Sequence, residues 1–302
     1  MPNIDISIVT PVFNEENNIE PFLSKIYEIL TKLTNSYEII FVMDPSSDRT
    51  EDIIKSHALK NKKVKLIKLS RRFGQPSSTL AGIHNSIGER VVVIDVDLQD
   101  SPEVILEMNK KMDQGYEVVF AKRSSREGET FFKRKISDFG YWLINSLTEL
   151  NIPKDVGDFR MMSKKVVDHL KKLKEKHGFL RGLVSYVGFK QGEVIFNRLP
   201  RKNDKSKYNK FTGSLKIGLN GLICFSEKPL QILNLLGLVI LTMCFFLLLT
   251  IFFHNIRFFD ILILLLFGLV FISMGITGEY ISRIYEEVKD RPQFIMDKKI
   301  NF

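Results

Sequence analysis

Cysteine is scarce in this 302-residue chain, and the two present, Cys224 and Cys244, lie in or beside apolar sequence without Cys-x-x-Cys spacing or histidine partners. That excludes a zinc ribbon and a disulfide framework, and leaves both as small buried hydrophobes of a reducing compartment. Neither G-x-G-x-x-G nor G-x-x-x-x-G-K-[ST] occurs, so a dinucleotide fingerprint and a P-loop are both unsupported. No basic segment, apolar core and small-residue cleavage site open the chain, so a secretory signal is not expected, and the bulk of the chain is expected to stay in the cytoplasm. Tryptophan occurs once, as Trp142. Most informative is an absence of charge: between Lys228 and His254 there is no charged side chain, in a chain with 44 Lys and Arg against 35 Asp and Glu.

Leu230 to Phe253 is almost wholly apolar, and Ile261 to Gly278 is interrupted by no charge either. Each run is long enough for a helix to cross a hydrocarbon core of about 30 Å. The stretch His254 to Phe258 between them carries one Arg, whereas Lys and Arg crowd before the first run and recur at Arg283, Lys289, Arg291, Lys298 and Lys299. A two-helix hairpin with both termini cytoplasmic follows from the positive-inside rule. Ahead of it, Arg198, Arg201, Lys202, Lys205, Lys207, Lys210 and Lys216 face the single acid Asp204, and Phe211 to Phe225 fits a helix lying in the membrane interface. Polybasic sequence there is drawn to anionic headgroups by about 1 kcal/mol per residue. The formal charge of +9 is thereby explained without nucleic acid.

The first half of the chain alternates extended and helical patterns. Ile4 to Val9, Tyr37 to Val42, Val64 to Leu69, Val91 to Ile94 and Val118 to Ala121 read as strands. Helices fit Ile19 to Leu33, Thr50 to Leu59, Ser77 to Ser86, Glu103 to Met112 and Lys164 to Leu173. The alternation predicts an α/β domain with a mainly parallel sheet. Its fourth strand runs into Asp95, Asp97 and Asp100. In such sheets ligands bind beyond the carboxyl ends of the strands, where paired carboxylates hold Mg²⁺ or Mn²⁺ together with substrate phosphates. Thr10 to Glu16 and Met43 to Asp48 end the first two strands with further polar groups. Basic residues then cluster at Lys122 to Arg126 and Phe132 to Lys135, and Gly157-Asp158-Phe159-Arg160 sets a carboxylate and a guanidinium beside an aromatic ring.

Taken in order, Val9-Thr10-Pro11-Val12-Phe13-Asn14-Glu15-Glu16, Leu69-Ser70-Arg71-Arg72-Phe73-Gly74, Asp95-Val96-Asp97-Leu98-Gln99-Asp100, Gly157-Asp158-Phe159-Arg160, Phe179-Leu180-Arg181-Gly182, Ser206-Lys207-Tyr208 and the apolar hairpin form a set. The set resembles the polyprenyl-phosphate glycosyltransferases of glycosyltransferase family 2, which include bacterial bactoprenol glucosyltransferases and dolichyl-phosphate mannose synthases. The resemblance implies a GT-A fold and transfer of a sugar, with inversion, from a nucleotide diphosphate to a lipid phosphate. It implies nucleotide-sugar contacts at Pro11, Phe13, Glu15, Asp44, Asp95, Val96, Asp97, Gln99 and Arg123, with metal held by Asp97 and Asp95. Acceptor and diphosphate contacts fall at Arg134, Arg201 and Lys207, and Asp158 stands where a base would, beside Arg160. The second strand here ends in Met43-Asp44-Pro45-Ser46 where the family has Asp-Asp-Gly-Ser.

The resulting expectation is a membrane-anchored, metal-dependent enzyme, a homo-oligomer in the bacterial inner membrane. It would move glucose from UDP-glucose to undecaprenyl phosphate for cell-envelope polysaccharide or lipopolysaccharide modification. Mannose or a modified amino sugar is the alternative cargo. A processive polysaccharide synthase would need a Gln-x-x-Arg-Trp motif, which is absent, and a silent sugar-nucleotide-binding scaffold has no use for the combined metal, basic and Gly-Asp-Phe-Arg elements. Expected boundaries are 1–200 for the catalytic domain, 201–228 for the basic linker and interface helix, 229–282 for the hairpin and 283–302 for a cytoplasmic tail. A phosphate monoester has its second pKa near ~6, so the acceptor is already largely a dianion at neutral pH. Asp158 is therefore expected to position Arg160 or the acceptor's surroundings more than to remove a proton.

Overall fold

The computed structural model describes residues 4–124, 156–175, 180–197, 228–249 and 256–302. Strands β1 (Ile6–Val12), β2 (Tyr37–Met43), β3 (Val64–Leu69), β4 (Arg90–Val93), β5 (Val118–Arg123), β6 (Val156–Ser163), β7 (Gln191–Phe196) and β8 (Met296–Ile300) form one sheet in the order β7-β5-β6-β4-β1-β2-β3-β8. Pairing is parallel throughout except around β6 and β8, which run antiparallel to their neighbours. Ile8, Val9 and Ile39 through Met43 are fully buried, as apolar runs in a sheet covered on both faces must be.

Helices α1 (Ile19–Leu33), α2 (Thr50–Lys60), α3 (Gln75–Asn85) and α4 (Val104–Asp113) connect the parallel strands, and α5 (Lys164–Leu170) and α6 (Leu180–Val187) follow β6. In α1 the buried residues Ile19, Phe22, Leu23, Ile26, Ile29 and Leu30 recur at helical spacing and make one apolar stripe against the sheet. Helix α3 lies closer to the sheet than a side chain would allow at one point: a Cβ on Gly82 would stand 2.3 Å from Val9 Cγ1. The Ser163 hydroxyl caps α5 by accepting the Val166 N–H.

The five predicted strands and the helices form with shifted ends. The first strand, expected over Ile4 to Val9, lies at Ile6–Val12 because its parallel pairing with β2 continues through Thr10, Pro11 and Val12. Beyond the expected set come β6, β7 and β8. Residues 283–302, read as a tail, contain β8, which pairs with β3 in the register Leu66↔Ile300, Ile67↔Lys299 and Lys68↔Lys298.

The described residues fall into two compact units, one holding the sheet and its helices together with Pro292–Phe302, the other holding α7 (Lys228–Leu249) and α8 (Ile256–Lys289). Helices α7 and α8 pack on each other. Among the described residues one helical segment, Leu265–Lys289, is long and apolar enough by length and composition to cross a membrane, where the sequence led us to expect two. Arg134, Arg201, Lys207 and the expected interface helix lie outside the described residues.

Candidate active site

The strand directions bring the chemistry to one edge of the sheet. β1, β2, β4 and β5 all point their carboxyl ends that way. β6 runs the opposite way between β4 and β5, with Val93 opposite Arg160 and Lys122 opposite Val156. The amino-terminal end of β6, with Gly157 and Asp158, therefore lies on the same edge.

At the end of β1, Asn14 adopts a left-handed conformation (φ 53°), one that asparagine tolerates better than most residues. The turn is laced to the loop after β2: the Asn14 N–H donates to Ser46 Oγ (3.1 Å), the Ser47 N–H donates to Asn14 Oδ1 (2.8 Å) and the Glu15 N–H donates to Thr50 Oγ1 (2.8 Å). The Glu16 N–H donates to Asp48 Oδ2 at 3.1 Å. Burial opposes the Asp48 charge, but hydrogen bonds from Thr50 and the Glu16 N–H outweigh it and hold this carboxyl below its ordinary range. Phe13 and Glu15 thus sit on a braced turn, with Pro11 just before it in β1, and the Arg72 guanidinium lies 4.1 Å over the Phe13 ring.

Asp44, read from the sequence as a nucleotide contact, is 3% exposed. Its Oδ1 accepts from the Phe73 N–H (3.1 Å) and Ser78 Oγ (3.4 Å), and its Oδ2 accepts from the Gly74 N–H (2.9 Å). The carboxylate fastens the loop after β3, and a base contact would have to share atoms already engaged. Gly74 makes that fastening possible, because its φ of +91° is a region that side-chain-bearing residues rarely adopt.

The acidic turn follows β4. Leu98 is left-handed (φ 55°), and the Gln99 N–H closes the turn on Asp97 Oδ1 at 3.1 Å. Gln75 Nε2, at the start of α3, donates to Asp95 Oδ1 at 2.9 Å and orients that carboxylate. Val96 and Gln99 are buried, and Asp95 and Asp97 are half-buried. Among the described residues no three His, Cys, Asp or Glu side chains gather into a metal-binding group. The Asp95 and Asp97 pair, all oxygen and without a soft donor, fits a hard divalent cation that completes its shell with phosphate oxygens and water.

On β6, Arg160 is 3% exposed; its Nη2 donates to the Gly157 carbonyl (3.0 Å) and its Nε to the Asp158 carbonyl (3.3 Å). Asp158 Oδ1 accepts from Arg181 Nε of α6 at 3.1 Å and lies 4.0 Å from Arg160 Nη2. Arg123 passes Gly157 so closely that a Cβ there would stand 3.4 Å from its Nη2. Three guanidiniums thus surround one carboxylate. Burial works against the Asp158 charge, yet Arg181, Arg160 and Arg123 outweigh it and hold the carboxyl below the usual range. Burial lowers Arg160 to about 10, with Asp158 opposing the change, so it stays cationic at neutral pH. A surplus of fixed positive charge beside an acidic pair suits two phosphate groups brought together.

Pro11, Phe13, Glu15, Asp44, Asp95, Val96, Asp97, Gln99, Arg123, Asp158 and Arg160 all fall on this edge. Three partners were not singled out from the sequence as site residues. Arg181 and Arg72 lay inside quoted motifs, whereas nothing local to Gln75 marks it as the partner of Asp95.

Residues 7–171 match the family model described as glycosyl transferase family 2. The chain is 43% identical over 306 residues to the Bacillus subtilis glycosyltransferase YkcC, covering 98% of this chain and 94% of that protein. It is 37% identical over 302 residues to an SfII prophage-derived bactoprenol glucosyl transferase of Shigella flexneri, covering 97% of each. Among solved structures, glucosyl-3-phosphoglycerate synthase from Mycobacterium tuberculosis, in complex with Mn²⁺, UDP and glucosyl-3-phosphoglycerate, aligns with a TM-score of 0.51 at 17% identity, over 73% of this chain and 78% of that one. A Pyrobaculum calidifontis mannosyltransferase in complex with GDP-mannose and Mn²⁺ aligns at 0.50 and 15% identity, over 74% and 64%. At these identities the structural likeness speaks to the fold, which is GT-A.

Proposed function

The chain belongs to glycosyl transferase family 2 and is a glycosyltransferase, and from that premise we propose that it moves glucose from UDP-glucose to a polyprenyl phosphate such as undecaprenyl phosphate, with inversion, at the cytoplasmic face of the membrane. The bactoprenol glucosyl transferase that matches across nearly the whole chain supports the acceptor and the sugar. The observation that carries the reading is the register of β6 against β4, Val93 opposite Arg160, which supports grouping the Asp158, Arg160, Arg181 and Arg123 cluster with the sheet edge on which β4 runs into Asp95 and Asp97.

In the reaction an acceptor phosphate oxygen bonds to the anomeric carbon while the bond from that carbon to the diphosphate breaks, its electron pair leaving with the diphosphate. Braced by Ser46, Ser47 and Thr50, the turn carrying Phe13 and Glu15 receives the nucleoside. Asp97 and Asp95 would hold Mg²⁺ or Mn²⁺, which when bound neutralises charge developing on the departing diphosphate. Arg123, Arg160 and Arg181 offset the repulsion between the incoming phosphate and the diphosphate. Asp158 is their counter-ion and fixes their directions. With the acceptor already a dianion, no proton has to be taken up at the moment of attack.

Membrane anchoring by two crossings is supported by length and by connectivity. Helix α7, with 22 residues, is about 33 Å long, and α8, with 34, is about 51 Å, so both exceed a core of about 30 Å. The charged end of α8, from Glu279 to Lys289, falls beyond its apolar run. Strands β1 to β7 precede the two helices and β8 follows them in the same sheet, an order that favours two crossings over one. The test is a panel of radiolabelled UDP- and GDP-sugars offered with undecaprenyl phosphate in vesicles. Labelled lipid from UDP-glucose is the expected result; lipid labelled only from another donor refutes the sugar assignment, and no labelled lipid from any donor refutes the acceptor.

A further inference from the structure

The last residues of the chain do more than cover an edge of the sheet. Ser70, the first residue after β3, donates its N–H to the Ile295 carbonyl at 2.9 Å. From that point the loop runs through Arg72, over Phe13, to Phe73 and Gly74 on the Asp44 carboxylate, and to Gln75 on Asp95. Its near end is therefore tied to the C-terminal segment and its far end to the acidic turn. The other end of α3 is tied to the same segment. His84 meets Phe294 edge-on with ring centroids 5.8 Å apart, Lys299 Nζ donates to Asn85 Oδ1 at 2.6 Å, and Asn85 Nδ2 lies 3.6 Å from Met296 Sδ. Asn301, left-handed at φ 65°, turns its amide back to donate to the carbonyls of Ala58 (2.7 Å) and Val64 (2.8 Å), which locks the strand end.

We propose that residues 293–301 are a positioning element of the donor pocket, holding loop 70–75 and both ends of α3 in the arrangement that receives a nucleoside diphosphate. The inference rests on the reading of this edge as a nucleotide-sugar site. A loop that contributes Arg72 beside Phe13 and orients Asp95 through Gln75 needs a fixed base, and the Asp44 carboxylate can fix only its far half. The near half is fixed by a main-chain bond to Ile295, six residues beyond the end of α8. Membrane helix and donor pocket are thus joined along a short stretch of chain.

The experiment uses the full-length protein in detergent with Mn²⁺, and reads UDP binding by calorimetry, thermal unfolding, and exchange of the loop amides. Ile300→Asp puts a charge where Ile300 packs on the core and undocks β8. Ser70→Pro removes the N–H that the Ile295 carbonyl accepts, while also fixing φ at residue 70, and leaves the residues of β8 themselves unaltered. As a control, Val194→Ala thins the core under β7, remote in the sheet order from β8, and lowers stability without touching the loop. Both test variants are expected to weaken UDP binding about tenfold, to raise donor KM with acceptor KM unchanged, and to speed exchange at Phe73 and Gly74. The control is expected to lower the melting temperature and leave UDP affinity as it was. If both test variants melt lower yet bind UDP as the unaltered protein does, β8 is an edge cover only and the inference is overturned. If the unaltered protein binds neither UDP nor GDP, the donor reading itself falls, and this inference with it.

Discussion

Replacing Asp158 by asparagine keeps the shape of the side chain and removes the charge that Arg160 and Arg181 share. Breaking a fully buried ion pair costs about 3–5 kcal/mol. The loss here should be smaller. Asp158 is one-third exposed, its oxygen lies 4.0 Å from Arg160, and Arg160 retains the Gly157 and Asp158 carbonyls as acceptors. About 1–2 kcal/mol of stability is expected, after discounting for solvent. The rate should suffer more. With one charge gone the guanidiniums repel one another and lose their fixed directions, and misplacement by about 1 Å is enough to cost a factor of about 10². Initial rates of lipid labelling at saturating donor and acceptor, with a parallel urea titration, measure the two effects separately.

The pH dependence decides between a positioning group and a base. In the folded protein the Asp158 carboxyl is lowered, so its contribution to stability is present above the unfolded carboxylate pKa of about 3.9 and is lost as pH falls through the folded value. Arg160, at about 10, stays charged up to that pH. Between pH ~6 and ~9 neither group titrates, whereas the acceptor phosphate passes from mixed to fully dianionic. A positioning role therefore predicts the same fold-loss for Asp158→Asn across that range. A loss that shrinks markedly toward pH ~9 would show the dianion replacing a missing proton acceptor and would refute the reasoning. Adding Arg181→Ala to Asp158→Asn should cost little beyond either change alone, because the two side chains act as one unit.

Asp97→Ala is expected to abolish turnover while the protein stays folded by circular dichroism, and the unaltered enzyme is expected to stop in EDTA; full activity in EDTA would sink the metal assignment. Asp44→Asn turns an NH₂ toward one of the two backbone N–H groups that the carboxylate accepts, leaving a buried donor unpaired at a cost of about 1–3 kcal/mol. Urea unfolding should register that loss together with a raised donor KM, and a variant unchanged in both would show the loop to be held by other means. Gly82→Ala forces a Cβ to within 2.3 Å of Val9 Cγ1 and 3.0 Å of Val42 Cγ2 and should cost about 1–3 kcal/mol in the urea titration. An undiminished midpoint there would mean that α3 lies farther from the sheet.

What was legible in the sequence, and what was not, divides along physical lines. Strands β1, β2, β4 and β5 announce themselves through short, mostly apolar runs that are largely buried, β3 through Val64, Leu66, Ile67 and Leu69 between its lysines, and α1 through its stripe. The acidic turn was legible because a β-branched run stops at two carboxylates. Strand β6 was not, since Val-Gly-Asp-Phe-Arg-Met-Met-Ser has neither alternation nor a continuous apolar run. It is a strand because it fills the gap between β4 and β5; Asp158 lies toward the site edge, and Arg160, inside the ladder, donates to the Gly157 and Asp158 carbonyls. The segment Met296–Ile300 carries even less signal, with four of its five residues exposed. No hydrophobic pattern can reveal such a strand. Its formation depends on main-chain pairing with the otherwise open edge of β3, a partner more than two hundred residues away in sequence. The same distance hid the tie from Ile295 to Ser70, and a separation of 23 residues was enough to hide the one from Arg181 to Asp158, so residue types were legible where strands end, and partners were not. A site assembled at one sheet edge from β1, β2, β4, β5, β6 and the chain's own end owes its chemistry to local motifs and its geometry to pairings that no local motif encodes.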